Sequence, residues 1–190
     1  MQRRFGLALL IALAMGACSS ASVETPGASP IRQRDDAFLP YREVTTSPFE
    51  SGRLPGDRIS GSLGARVDRK TGAATTYALL TVVYAERQGR RYETARNLQA
   101  EALPMRQVYK DGSHCRKLSG CVHAEAFQVD LPPAELRQAL AAGNGYAIKL
   151  FGRAGAGTVF AFPKDTLAAL FKAIDAPAAV AASARTTRPK

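Results

Sequence analysis

The chain has 190 residues, of which 26 are Lys or Arg and 16 are Asp or Glu, so its net charge at pH 7 is +10. This length fits one folded domain with flexible ends. Because it has only two histidines, the chain offers little material for a serine or thiol hydrolase that depends on a histidine base.

The N-terminus has the layout of an export signal. Arg3 and Arg4 precede an apolar run from Phe5 to Met15, and the small residues Gly16 and Ala17 follow. The run is too short to cross a bilayer core, which takes about 20 apolar residues. We therefore expect residues 1–17 to be a cleaved signal peptide.

The tetrapeptide at residues 15–18, Met-Gly-Ala-Cys, resembles the lipobox of bacterial prolipoproteins, with Met15 where leucine is usual. The resemblance is confined to residues 1–18. It implies that Cys18 carries acyl chains such as palmitate and anchors the mature chain to a membrane. Ser19 after the cysteine implies the outer membrane, with the domain facing the periplasm; the inner membrane and the cell surface stay open as alternatives.

Export also determines which partners a basic chain can meet. Cleavage after residue 17 removes two arginines and no acid, which lowers the net charge to +8. Nucleic acid is then not an expected partner. Lipid phosphates, lipopolysaccharide, acidic glycans and acidic proteins remain.

Residues 18–60 have the composition of a flexible tether, with five prolines among Ser, Thr, Gly and charged residues and no sustained apolar period. We expect this tether to carry a single domain, residues 61–175. The short apolar stretch Phe38–Tyr41 is expected to dock on the domain or on a partner. Residues 176–190 are expected to form a disordered basic tail.

The domain begins with strand patterns. Thr75–Ala85 is apolar on both faces and rich in β-branched and aromatic residues, which indicates a central buried strand. We expect a strand at Leu63–Arg69 before it and a hairpin through Glu86–Arg91 into Tyr92–Leu98 after it. Ala102–Tyr109 is a weaker strand that Pro104 moves to a sheet edge.

The second half mixes strands and helices. Alternating Phe127, Val129 and Leu131 indicate a half-buried strand, a short helix follows Pro132 and ends before Gly143, and Tyr146–Leu150 and Thr158–Phe162 are further strands. A last helix buries Leu167, Leu170, Phe171 and Ile174. The pattern predicts an α+β domain: an antiparallel sheet of about five to seven strands with two short helices on one face. A β-sandwich is the alternative.

The segment from His114 to His123 holds two cysteines and both histidines of the chain. With Cys18 acylated, Cys115 and Cys121 are expected to form a disulfide in an oxidising compartment. The alternative is a zinc or copper site made by His114, Cys115, Cys121 and His123.

Two further groups carry functional hypotheses. Arg87, Arg90 and Arg91 crowd one turn, and Arg116 with Lys117 crowd the cysteine loop, so the two turns would form an anion-binding rim if they lie at the same end of the sheet. His123 and Glu125 alternate onto one strand face, where such a pair could serve acid–base chemistry. A polar strand entrance is the plainer interpretation of that pair.

These patterns favour a non-enzymatic lipoprotein that binds or supports an envelope protein or polyanion, with no cofactor and no catalytic residue assigned. The alternatives are a cell-wall or glycan hydrolase that uses carboxylates such as Glu125, and a copper- or zinc-binding lipoprotein.

Overall fold

The computed structural model describes residues 31–50, 57–86, 88–116, 120–155 and 157–176, and for residues 112–116, 120 and 154 it describes the backbone alone. The predicted signal peptide, Cys18, Arg87, Lys117 and the tail after Ala176 lie outside these residues. The described elements, in chain order, are β1 (Ile31–Arg34), β2 (Tyr41–Thr46), β3 (Phe49–Glu50), β4 (Arg58–Asp68), β5 (Ala74–Glu86), β6 (Tyr92–Arg96), β7 (Ala102–Leu103), β8 (Met105–Arg116), β9 (Gly120–Leu131), α1 (Pro133–Ala141), β10 (Tyr146–Gly152), β11 (Gly157–Phe162) and α2 (Lys164–Asp175).

The strands form two antiparallel sheets that share one core. Sheet A has the order β1-β2-β4-β5-β9-β8, with β3 also paired to β4, and sheet B has the order β11-β10-β6-β7. The sheets meet where Tyr92 of sheet B packs edge-on against Phe127 of sheet A, with ring centroids 5.6 Å apart. The α+β class is confirmed. Sheet A has seven strands, the upper limit of the predicted five to seven. The second sheet was not predicted.

Strand β5 is central, as its sequence predicts. It lies between β4 and β9, and its pairing with β9 runs from Thr76 opposite Leu131 to Glu86 opposite Cys121. Its core face carries Leu80 and Val82, which are fully buried. The other face is partly open, since Leu79 is 36% exposed. The apolar run therefore reflects one buried face and one partly covered face.

The predicted hairpin from β5 into Tyr92–Leu98 is wrong. Strand β6 leaves sheet A and pairs with β10 in sheet B, where Ala95 lies opposite Leu150. The predicted edge strand at residues 102–109 is divided at Pro104 into β7, at the edge of sheet B, and β8, at the edge of sheet A. A proline cannot donate to a ladder, so both pieces take edge positions.

The predicted tether boundary at residue 60 is also corrected. Residues 31–50 form three strands of sheet A, and β4 already begins at Arg58. In β2 the buried positions are Arg42, Val44 and Thr46. Because two of these three are polar, the strand lacks the apolar alternation by which a buried strand is recognised.

Both predicted helices are present, and α2 buries the predicted residues Leu167, Leu170, Phe171 and Ile174. Arg42 holds the C-terminal end of this helix in place. Its guanidinium donates to the carbonyl oxygens of Ala173, Ile174 and Ala176 at 2.9, 2.5 and 2.8 Å. The last carbonyls of a helix have no partner within it, so this buried arginine fixes α2 to sheet A.

Candidate functional site

The two Lys/Arg-rich turns meet at one end of sheet A. Strand β5 ends at Glu86, which lies opposite Cys121 of β9, and Cys121 in turn lies opposite Cys115 of β8. Arg87 directly follows Glu86 in the sequence, and Lys117 directly follows Arg116. We call this end of the sheet, where β5 leaves and the β8–β9 hairpin turns, the hairpin end. The strand register therefore places the two turns at the same end of the sheet, which is the condition for an anion-binding rim.

Arg90 does not belong to that rim. Its guanidinium donates to both oxygens of Asp57 and to Glu86, and it lies over the ring of Tyr84 at 4.4 Å. Burial opposes its charge, but the hydrogen bonds that it donates to Asp57 and Glu86 outweigh that effect and raise the pKa of Arg90 above its ordinary value. Its side chain is only 14% exposed. Arg90 is an internal ion-pair partner, which corrects its assignment as an anion ligand.

The other cations of the hairpin end have more access to solvent. Arg91 is exposed, and so is Arg58 at the start of β4, opposite Val83. Arg153 pairs with Glu93 but keeps 63% of its side chain exposed, and its backbone N–H donates to the carbonyl of Arg90 at 3.1 Å. For Arg116 the structure gives the backbone position at the hairpin. Arg91 and Arg58 are thus exposed cations with described side chains at this end, and they are the candidates for the rim.

The two cysteines occupy facing positions in the β8–β9 ladder. Residues directly opposite in an antiparallel pair have Cα atoms about 4.5 or 5.5 Å apart, depending on their place in the ladder. Both values lie within the roughly 4.4–6.8 Å that a disulfide requires. The register is compatible with the predicted bridge, which stays a prediction.

The alternative metal site finds little support in the same register. His114 lies opposite Val122, one residue out of phase with Cys121 and His123. The ring of His123 stacks on Tyr84 at 5.1 Å, and its Nε2 lies 3.2 Å from the carbonyl of Glu86. Among the residues with described side chains, no group of three or more His, Cys, Asp or Glu is arranged to hold a metal ion.

His123 and Glu125 do share the core face of β9, as the sequence predicts, but they are enclosed. Glu125 is 1% exposed. Its Oε1 accepts from the hydroxyl of Tyr84, and its Oε2 accepts from Nε2 of Gln107 at 3.0 Å. Tyr84 also accepts the backbone N–H of Arg90 at 2.7 Å. Burial, and then the hydrogen bond to Glu125, raise the pKa of Tyr84 above its ordinary value.

This buried cluster therefore stabilises the structure rather than exposing an acid–base pair. Both carboxylate oxygens of Glu125 already accept hydrogen bonds, and a substrate would have to displace the buried Tyr84 or the exposed Gln107 to reach them. The roles of Tyr84 and Gln107 were not predicted, because their contact with Glu125 depends on strand register rather than on sequence spacing.

The structure shows a second carboxylate site that the sequence did not indicate. Glu101 and Glu135 line a cleft of about 550 Å³ between the β6–β7 loop and α1. Nδ2 of Asn97 donates to both, at 2.9 and 3.2 Å, and the hydroxyl of Tyr146 donates to Glu135 at 2.8 Å. Burial, and then the bond to Glu135, raise the pKa of Tyr146 above its ordinary value. No motif joins two glutamates so far apart in the chain, so no signal for this pair was present in the sequence.

Known proteins do not add to this geometry: no family model, curated protein or solved structure matches the chain. Among the helices of the described ranges, none has the length and apolar character needed to cross a membrane.

Proposed function

We propose that the protein is an envelope lipoprotein, anchored through acylated Cys18 to the outer membrane, whose folded domain binds an anionic envelope component through the hairpin end. The observation that carries this proposal is the register of sheet A, which brings the two Lys/Arg-rich turns to one end. A solvent-exposed cluster of cations attracts phosphate or carboxylate groups through a field that salt screens.

The composition of the rim favours binding over a purely structural role for these charges. Arg90 is neutralised by Asp57 and Glu86, while Arg91 and Arg58 stay exposed beside it. The hairpin adds Arg116 and Lys117 in sequence, with no acidic residue between Cys115 and Cys121. The expected ligand is a phosphorylated or carboxylated glycan, such as the core of lipopolysaccharide.

Mapping of the binding surface tests this proposal. The mature chain would be titrated with deacylated lipopolysaccharide core while its backbone amide resonances are followed by NMR. The largest shifts are expected at residues 88–91 and 114–121. Shifts confined to the cleft, at residues 97–101 and 135–146, would overturn the assignment of the hairpin end.

A second candidate function, a carboxylate-based glycan hydrolase, is favoured by the Glu101–Glu135 cleft. Two carboxylates that line one cleft are the minimal equipment for glycoside hydrolysis. The mature chain would then release soluble fragments from purified cell-wall glycan, and Glu135→Gln would abolish the release. The hairpin-end proposal predicts no release by either form.

A further inference from the structure

Phe38 is the most exposed large apolar side chain among the described residues. It is 98% exposed and lies in the connection between β1 and β2, residues 35–40, which we call the Phe38 turn. A fully exposed phenylalanine leaves its whole apolar surface in water, which is unfavourable unless another surface covers it. The core gains nothing from this residue.

The Phe38 turn is held in one conformation by many hydrogen bonds. Within it, the N–H of Leu39 donates to the carbonyl of Asp36, and the N–H of Phe38 donates to the Asp36 carboxylate, both at 3.0 Å. From the β4–β5 turn, Arg69 donates to the carbonyls of Leu39 and Asp36 at 3.0 and 2.8 Å and pairs with Asp35. The turn therefore presents Phe38 in a fixed position, so little conformational entropy is lost when the ring is buried.

The turn lies at the end of sheet A opposite the hairpin end. Tyr41, directly after the turn, pairs with Asp68 at the end of β4, and the β4–β5 turn leads to Thr76 opposite Leu131. From Thr76 to Glu86 the sheet extends about 33 Å at the rise of a β-strand. The exposed ring and the cationic rim are thus on opposite ends of the molecule.

Exposed cations lie in the strand before the Phe38 turn and in the β4–β5 turn that binds it. Arg32 and Lys70 are exposed on the neighbouring strand and turn, and neither forms an ion pair within the described ranges. The nearby acids bind locally: Asp35 with Arg69, Asp36 with Arg34, and Asp68 with the backbone of Lys70 and Thr71. An exposed aromatic side chain with exposed cations in the adjoining strand and turn suits the interface of a bilayer, where the ring enters the headgroup region and the cations meet lipid phosphates.

The position of the acyl anchor favours a lipid surface as the occupant. Cys18 precedes Ile31 by 13 residues, which span at most about 45 Å when extended. The chain then enters the fold through β1, whose four residues lead directly into the Phe38 turn. The chain therefore enters the domain nearer to the Phe38 turn than to the hairpin end, and an anchor at Cys18 keeps this end within reach of the membrane.

We propose that Phe38 inserts into the lipid interface of the membrane that holds the Cys18 anchor, so that the domain stands with its hairpin end pointing away from that membrane. This inference rests on the proposed function, because it requires the acyl anchor. It deepens that function by assigning the membrane-facing end and leaving the cationic rim free to reach a ligand across the periplasm.

A single-tryptophan reporter tests the orientation. The chain contains no tryptophan, so Phe38→Trp introduces the only one, at a position where the exposed ring makes no core contact. The acylated mature variant would be reconstituted in vesicles of phosphatidylethanolamine and phosphatidylglycerol. Its emission is expected to shift to shorter wavelength, and brominated lipids are expected to quench it. Val122→Trp, at the half-exposed position of the hairpin end, is the matched control and should show neither effect.

The outcomes separate this inference from the function on which it rests. If the Phe38→Trp chain is acylated and bound to the vesicles but its tryptophan emits as in water, the orientation is overturned and the lipoprotein assignment stays intact. A chain that cells do not acylate overturns both. As a second variant, Arg69→Ser in the Phe38→Trp background releases the turn and should weaken the quenching. Equal quenching of the Phe38→Trp and Val122→Trp variants would also contradict a fixed orientation.

Discussion

At the scale of single residues, Glu125 is a buried side chain whose two oxygens both receive hydrogen bonds from its neighbours. Both of its oxygens accept hydrogen bonds, from Tyr84 and from Gln107. An unmatched polar group inside a core costs about 1–3 kcal/mol. The cluster therefore contributes to the stability of the domain only as long as each member keeps its partner.

Glu125→Gln tests this role. The new amide would bring its N–H₂ against a donor, Tyr84 or Gln107, and the free energy of unfolding should fall by about 1–3 kcal/mol. Urea unfolding followed by circular dichroism measures the change, and Glu93→Gln, at an exposed surface pair with Arg153, is the control with a small effect. If Glu125→Gln keeps full stability but abolishes the biological activity, the carboxylate is functional and the structural role is wrong.

Arg42 makes an equally specific prediction. Arg42→Met keeps much of the apolar stem but leaves three carbonyls at the end of α2 without their donor. We expect a loss of roughly 2–4 kcal/mol in unfolding free energy, since buried acceptors lose hydrogen bonds to a charged group. The control is Arg137→Met, which removes a surface ion pair between Arg137 of α1 and Asp175 of α2. This variant should lose much less unfolding free energy. Equal losses in the two variants would contradict the capping role of Arg42.

At the scale of elements, local periodicity predicted the strands and helices whose buried face is apolar. Strand β5 and helix α2 are of this kind, and both lie where the sequence places them. Apolar periodicity did not indicate β2, because Arg42 and Thr46 occupy buried positions there. Nor did periodicity indicate that β6 pairs with β10, because the sequence of a strand does not determine which sheet it joins.

The β8–β9 hairpin carries a prediction about its cysteines. In mature protein from the periplasm, Cys115 and Cys121 should give no thiol signal until a reductant is added. Replacing both with Ser should lower the unfolding free energy by about 2–3 kcal/mol, the chain-entropy value for a loop this small. The rest of sheet A should keep its structure, because its buried apolar residues supply a core that does not depend on the bridge. Two free thiols with a bound metal ion would instead favour the zinc or copper site.

The candidate site was predictable only in part. The two basic turns are visible in the sequence, but their meeting at one end depends on the long register of β5 with β9. The sequence could not separate Arg90, which Asp57 and Glu86 neutralise, from Arg91, which is exposed. Nor did it indicate that Glu101 and Glu135 converge on Asn97.

At the scale of the whole molecule, buried tyrosines should make the fold sensitive to alkaline pH. Burial, and then a hydrogen bond to Glu43, raise the pKa of Tyr77 to about 12, and the pKa values of Tyr84 and Tyr146 are raised as well. Above about pH 10 the unfolded chain releases these protons while the folded chain retains them, so stability falls as pH rises. Below the unfolded pKa the contribution is complete.

Unfolding in urea at a series of pH values measures this effect. Stability should decline from about pH 10 upward, and Tyr146→Phe, which removes one of the three phenols, should make the decline less steep. A stability that stays constant through this range would show that the three hydroxyls ionise in the folded state as easily as in water.

The proposed lipid anchor concerns the mature chain as a whole. Cys18→Ala should abolish labelling with radioactive palmitate and release the protein from the membrane fraction after a salt wash, because lipid chains supply the stable attachment. A variant that is unlabelled yet stays with the outer membrane would contradict anchoring through Cys18.

The central claim, binding of an anionic envelope component at the hairpin end, is tested most directly by the salt dependence of that binding. Two triple variants of the mature chain would be compared by calorimetry with deacylated lipopolysaccharide core. One is Arg91→Ser with Arg116→Ser and Lys117→Ser; the control is Lys70→Ser with Lys164→Ser and Lys172→Ser, which removes equal charge from elsewhere.

At about 1 kcal/mol for each cation, the hairpin variant should bind roughly a hundredfold more weakly at low salt and lose most of its dependence on salt concentration. The control should bind like the native chain. Equal weakening of the two variants would show that only net charge matters, and that result would contradict a binding site at the hairpin end.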